Sequence, residues 1–259
     1  MGDAWGYIDP AGEWAIAPQF DDAIGFADGL AVVRQDGRYG AVDTTGAFTI
    51  TPRFFDLKSF SEGLAAARSV GDEWGFVDRD GRAVIPARFE DAWAFVQGRA
   101  HVLEAGEHAF IDPTGARAFQ ERFDGADDFA EGLAPAMLDG LWGFIGPDGA
   151  FVIPPSFVSV RRFSGGLAVA EGESGFGFID RSGHFVIAPQ LERVADFSEG
   201  LASAMTGGVE GYVDLTGRFA IPPQFSACYP FHEGLALVEK GEQRGYIDRS
   251  GAVVFPFST

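Results

Sequence analysis

Among the 259 residues of this chain, the side chains best suited to metal binding or nucleophilic chemistry are four histidines, at 101, 108, 184 and 232, and one cysteine, Cys228. Only His101 and His108 can meet, because they flank a hairpin loop around Glu104-Ala105-Gly106 and would face each other across its two strands. Together with Glu104 or Glu107 they would make a three-ligand metal set. No third ligand has the fixed spacing of a zinc site, so a polar pair on a solvent-facing hairpin is the simpler expectation, with no metal and no cofactor. A Gly-x-Ser-x-Gly elbow, a Walker loop and a Rossmann fingerprint are all absent from the sequence. Cys228 cannot close an internal disulfide. It stands where other stretches carry Ala23, Leu57, Ala92, Ala126, Val160 and Val194, and so reads as a small buried residue. The sequence therefore points away from an enzyme.

Those residues must be positioned by a repeat. An opening glycine recurs at Gly6, Gly40, Gly75, Gly143, Gly177, Gly211 and Gly245, with Ala109 in the fourth place, at intervals of 34 or 35 residues. Six residues on, a second glycine follows in every copy, from Gly12 to Gly251. Ten residues after the opening position comes Ile or Phe (Ile16, Ile50, Ile85, Phe119, Ile153, Ile187, Ile221, Phe255), usually with proline one or two beyond. Later still, Phe26, Phe60, Phe95, Phe129, Phe163, Phe197 and Phe231 each precede a glycine by three residues. A strict period with no compositional break predicts one array, a single domain over 1–259, in which each unit buries its apolar face on its neighbours.

Each period reads as four short strands. The segment after Phe-x-x-Gly, such as Leu30-Ala31-Val32-Val33, is apolar at successive positions and should be buried on both faces. A polar turn leads to the second strand, Tyr39-Gly40-Ala41-Val42-Asp43, and an Asp-x-x-Gly turn to the third, Phe48-Thr49-Ile50. A fourth runs through Phe54 toward Phe60 after an x-Pro bend. Connections this short make neighbouring strands antiparallel, so each copy is a meander. The Asp of the turn (Asp9, Asp43, Asp78, Asp112, Asp180, Asp214, Asp248) should accept backbone N–H groups rather than bind calcium, which needs six to eight oxygens where only one acid recurs. The fold class expected is all-β, about seven and a half 34-residue antiparallel meanders in an open, twisted, solenoid-like array whose end copies act as caps. The alternative is a closed β-propeller.

The dipeptides Trp5-Gly6, Trp74-Gly75 and Trp142-Gly143, followed by Tyr/Phe-Ile/Val-Asp-x-x-Gly and Ile-x-Pro-x-Phe, resemble the bacterial WG-repeat proteins, and the match runs from Trp5 to Phe257. The resemblance implies a β-rich repeat without a catalytic motif and supplies no substrate. Tyr39, His108, Phe176, Glu210 and Arg244 stand where that pattern has tryptophan, which marks the tryptophan as a partly exposed cover.

The net charge is −19, from 38 acidic and 19 basic side chains. Such a field repels nucleic acid and anionic membranes and attracts basic partners. Met1-Gly2-Asp3-Ala4-Trp5 enters the repeat at once, so a cytoplasmic location is expected. The residue before the Phe-x-x-Gly glycine is acidic at Asp28, Glu62, Glu131, Glu199 and Glu233, and Gln97 and Gly165 break the series. In a stacked array these acids form a negative row able to grip a basic protein or to block edge-to-edge sheet pairing. The stretch from Trp93 to Phe123 departs most from the period, and Trp93, Arg99, His101 and His108 would suit an interface anchor there. The function expected is a non-enzymatic scaffold for a basic protein partner. An immunity-type protein masking a toxin is a narrower version. A carbohydrate or cell-envelope module stacking sugars on Trp5, Trp74 and Trp142 is the rival.

Overall fold

The computed structural model describes residues 4–69 and 71–258, so the reading of Met1-Gly2-Asp3 lies outside the described residues. Every strand pairing is antiparallel, and no helix occurs among the described residues. The chain forms two compact units, 1–128 and 129–259. In the first, Leu30–Gln35, Arg38–Asp43 and Phe48–Phe54 form one meander and Ala65–Arg68, Trp74–Val77 and Ala83–Phe89 the next. In the second, Ala168–Gly172, Gly175–Ile179 and Phe185–Leu191 are followed by Leu201–Thr206, Val209–Asp214 and Phe219–Phe225, and then by Leu235–Lys240, Gln243–Asp248 and Val253–Ser258. The all-β array of WG-type meanders expected from the period is therefore present.

The fourth strand differs from expectation. Phe54 ends a long third strand that runs through Pro52, and only Asp56–Leu57 pair onward, with Arg68 and Ala67 of the following meander. Phe60 instead lies in the loop ahead of the Phe-x-x-Gly turn. Proline is tolerated within the third strand because the register shifts there. Tyr39 pairs with Phe54 but Ala41 with Ile50, which leaves a bulge at Thr51-Pro52-Arg53.

That bulge folds directly over the opening glycine. A Cβ added to Gly6 or Gly75 would lie 2.5 Å from the carbonyl oxygen of Ile16 or Ile85, and at Gly40, Gly143, Gly177 and Gly211 it would meet the matching oxygen no farther away. Only a residue without a side chain lets the two backbones approach this closely. The fourth copy is the control supplied by the chain itself. Where Ala109 carries a methyl group, its sheet stops at three strands, Asp91–Ala92, Ala100–Glu104 and Glu107–Ile111. The segment beyond keeps only isolated bridges, Ile111 to Arg117 and His108 to Phe123. The loss of a regular third strand thus coincides with the one copy whose opening position carries a side chain.

Each core cluster mixes neighbouring copies: Phe76, Ile85, Phe89 and Phe95 pack with Ala100, Val102, Ala109 and Ile111. One aromatic pair repeats through the units, as Phe76 with Phe95, Phe144 with Phe163, Phe178 with Phe197 and Tyr212 with Phe231, at centroid distances of 5.0, 4.8, 4.7 and 4.8 Å. Burying each such Phe contributes about 1.5–3 kcal/mol, and the tilted or edge-on geometry adds to it. The terminal strands do not carry a polar outer face as caps would. Trp5, Ile8 and Trp14 are exposed at one end, and Val253, Val254 and Phe255 at the other.

Replacing Gly75 by Ala should lower the unfolding free energy measured in urea by about 1–3 kcal/mol, because the third strand must move to admit the methyl group. Gly25→Ala, with nothing near its Cβ and no left-handed backbone, should change it by less than about 0.5 kcal/mol. Equal losses in both variants would refute close approach as the constraint.

Candidate functional site

The acidic row belongs to a two-residue hairpin turn. Asp28, Glu62, Glu131, Glu199 and Glu233 have φ between 50° and 53°, each followed by a glycine also at positive φ, which is the type I′ geometry. A glutamate is strained there, by roughly 1 kcal/mol or more, and its side chain offsets the strain by reaching the next copy. The Gly63 N–H donates to Asp28 at 2.8 Å, Gly98 to Glu62 at 2.9 Å, Gly166 to Glu131 at 3.1 Å and Gly234 to Glu199 at 3.0 Å. The serine beside the turn ties the same copies together, Ser61 Oγ donating to the Phe95 carbonyl at 2.6 Å and Ser198 Oγ to that of Phe231 at 2.7 Å. The row is therefore a set of exposed carboxylates held in place by backbone N–H groups. The acids of the Asp-x-x-Gly turns are spent in the same way: Asp43 accepts from Thr45 Oγ1 at 2.6 Å and from the Thr45 and Ala47 N–H groups. These bonds hold the Asp43 carboxyl below the usual carboxylate range, the Thr45 hydroxyl contributing most.

The fourth meander brings Trp93, His101 and His108 together, but not on a solvent-facing hairpin. His101 is 3% exposed, its Nδ1 lies 3.0 Å from Asp128 Oδ1, and the Trp93 ring stacks on it at 3.9 Å. This corrects the expectation of a solvated pair. The reason is the apolar first strand, which turns His101 inward between Ala100 and Val102. His108 lies 5.8 Å from His101, ring to ring, and its buried Nδ1 has no hydrogen-bond partner among the described residues. Burial, and secondarily the neighbouring His101, lower the pKa of His108, with Asp91 acting in the opposite direction. Lys58 Nζ sits 5.1 Å from the Trp93 ring and pairs with Asp91 at 2.9 Å. Glu104 and Glu107 do not join the histidines, because Glu104 pairs with Arg117 and Arg88, and Glu107 with Arg122. No cluster of three or more His, Cys, Asp or Glu able to hold a metal occurs among the described residues. Arg99 stays at the turn, its guanidinium 3.4 Å from the Gln97 carbonyl oxygen.

Of the tryptophans expected as sugar platforms, Trp5 is exposed, whereas Trp142 is half-buried and Trp74 is 7% exposed. Trp74 packs under Lys58 and Arg68, which closes its face to a ligand.

A second polar pair was missed in the sequence. Ser203 and Glu210 occupy in the seventh meander the places of His101 and His108 in the fourth, one on each strand of the hairpin. Both are buried, Glu210 to 4% exposure and Ser203 to 8%. Glu210 pairs with Arg193 and accepts the Cys228 N–H at 2.6 Å. Burial pushes the Cys228 thiol up to about 12, the Tyr212 hydroxyl opposing the rise and the Glu210 carboxylate adding to it, which favours the protonated thiol. The signal available in the sequence was that both positions turn polar together in only these two copies.

A family model described as "WG containing repeat" matches residues 5–39, 39–71, 74–106, 110–142, 142–171, 176–209 and 211–243. No curated protein matches the chain. Among solved structures, BamB from Moraxella catarrhalis is similar at a TM-score of 0.56 and 15% identity, over 96% of this chain and 86% of that one. The computationally designed Ika8 protein is similar at 0.55 and 12%, over 93% and 86%. Hsv2p from Kluyveromyces lactis is similar at 0.54 and 10%, over 93% and 97%. At these identities the likeness is one of fold alone.

If the carboxylate row ties the copies, Glu199→Ala should cost about 0.5–1.5 kcal/mol in urea unfolding, while Glu199→Gln, which keeps an acceptor, should cost less than about half of that. Equal costs would remove the tie. Because the folded pKa of His108 lies below the unfolded value of 6.5, the unfolded chain takes up the proton first, and stability should fall as pH drops through that value toward the lower folded one. His108→Phe, the residue found at Phe176, should flatten that part of a urea-midpoint profile against pH.

Proposed function

Because this chain belongs to the WG-repeat family, we propose that it is a non-enzymatic scaffold whose acidic edge binds a basic protein. The observation that carries the reading is a set of exposed turn carboxylates in each unit: Asp28 and Glu62 in the first, and Glu131, Glu199 and Glu233 in the second. Four of these five are held by a neighbouring glycine N–H. A neutral N–H donor leaves the negative charge in place while removing side-chain freedom, so a cationic partner loses less entropy on docking than it would against mobile carboxylates. The surplus of acid over base, a net −19, adds long-range attraction and speeds encounter. Masking of a basic toxin is a special case of the same chemistry.

The test is affinity capture from the native host lysate at low and high salt, with identification by mass spectrometry, beside a variant carrying Asp28→Asn, Glu62→Gln, Glu131→Gln, Glu199→Gln and Glu233→Gln. The amides retain the turn acceptors and remove the charge. A basic protein held by the native chain at about 0.05 M salt, and released both by about 0.5 M salt and by the substitutions, is the expected result. Retention of no protein at either salt would overturn the reading.

A further inference from the structure

The place occupied by Trp93 in the fourth meander recurs along the chain as Ile24, Lys58, Trp93, Asp127, Arg161, Ala195 and Tyr229. The backbone there is the same each time: the Trp93 N–H donates to the His101 carbonyl at 3.1 Å and the Ala195 N–H to the Ser203 carbonyl at 2.9 Å. What differs is the side chain. In the fourth meander the indole lies flat on His101 and closes the site. In the seventh, alanine stands in that place, and a cleft of about 350 Å³ opens over Ser203 and Glu210, a size within the roughly 300–1,000 Å³ of small-molecule sites. Arg161 and Tyr229, the same position one copy earlier and one copy later, form its sides, and Arg193 joins them.

The polar groups of this cleft are mostly donors with capacity to spare. The Ser203 hydroxyl, on a residue more than nine-tenths buried, makes no hydrogen bond among the described residues. The only ion-pair partner of Arg161 among the described residues is Asp196, at 3.7 Å, with both side chains about half exposed. Arg193 gives Nη2 to Glu210 and keeps its other N–H groups. Glu210 has both oxygens engaged, one by Arg193 and the other by the Cys228 N–H. It therefore orients Arg193 rather than waiting for a cation. Two guanidinium groups face one carboxylate in the lining, Glu210, with Asp196 beside Arg161 outside it, so the cleft escapes the negative excess of a chain whose net charge is −19. Planar guanidinium forks match carboxylate and phosphate oxygens in pairs.

We propose that the cleft at Ala195 binds a small organic oxyanion, a carboxylate or phosphate ester, with its charged head on Arg161 and Arg193 and a hydroxyl of its body on Ser203. Tyr229, with its exposed ring, forms the wall along which that body lies. The site is independent of the acidic edge and of any protein partner.

Isothermal titration of the purified chain with glucose 6-phosphate, glucuronate, inorganic phosphate and uncharged glucose tests the assignment without a lysate. At least one of the two organic anions should bind saturably at millimolar concentration or below, at least about tenfold more tightly than glucose. Ala195→Trp, which rebuilds the closed arrangement of Trp93, should abolish that binding. Arg161→Gln, a change at an exposed side chain, should weaken it about tenfold or more, and urea midpoints of both variants should match that of the native chain. Failure of all four probes to bind the native chain, unchanged binding in Ala195→Trp, or glucose binding as tightly as its phosphate would each overturn the proposal. A lost protein partner with retained anion binding would count against the scaffold reading alone.

Discussion

The structure depends on one close approach, the bulged third strand of each meander crossing a glycine whose Cβ would collide with its backbone. Steric exclusion of this kind is not graded as burial is. A methyl group either fits or moves the strand, and at Ala109 a regular third strand is missing. Because the bulge carries the proline and sets the register of Ile50 or Ile153 against the second strand, the glycine governs which side chains face the core. It also governs where the next copy can pack, since Gly81 rests on Ile50 and Gly183 on Ile153 of the copies before them.

Adjacent copies are joined by hydrophobic packing and by polar ties of constant geometry, the carboxylate-to-glycine bond and the serine-to-carbonyl bond. Each tie is worth little alone, about 0.5–1.5 kcal/mol, but it recurs with the period and acts between neighbours, where a repeat protein draws its cooperativity. The turn carboxylates of each unit thus serve stability and electrostatics together. The hydrogen bond consumes acceptor capacity without neutralising charge.

Departures from the period divide into two kinds. Where a charged residue replaces the aromatic of other copies in company with a complementary partner, as Arg117 stands in the place of Trp14, Phe48, Phe151, Phe185 and Phe219 and pairs with Glu104, the change is absorbed by an ion pair. Where polar residues enter the buried first strand, at His101 and Ser203, they stay inside, either under a lid or beside an open cleft. Trp93 is such a lid; Ala195 is not. The difference between a closed and an open site is one side chain at one repeated position.

The all-β class, the antiparallel meander, the turn acids and the WG-repeat family were legible in the amino-acid order, because Gly, Pro and Asp act through local backbone geometry that a 34-residue period displays directly. Asp43 behaves as its spacing predicts, for the bonds it makes reach only to residues 45 and 47. The inward turn of His101, the burial of Trp74 and the cleft over Ser203 were decided by the tertiary structure. Each depends on a residue distant in sequence, Trp93 on His101 from 8 residues away, Lys58 over Trp74 from 16 and Arg161 beside Ala195 from 34, and such separations become contact only when the strands pair and the copies stack.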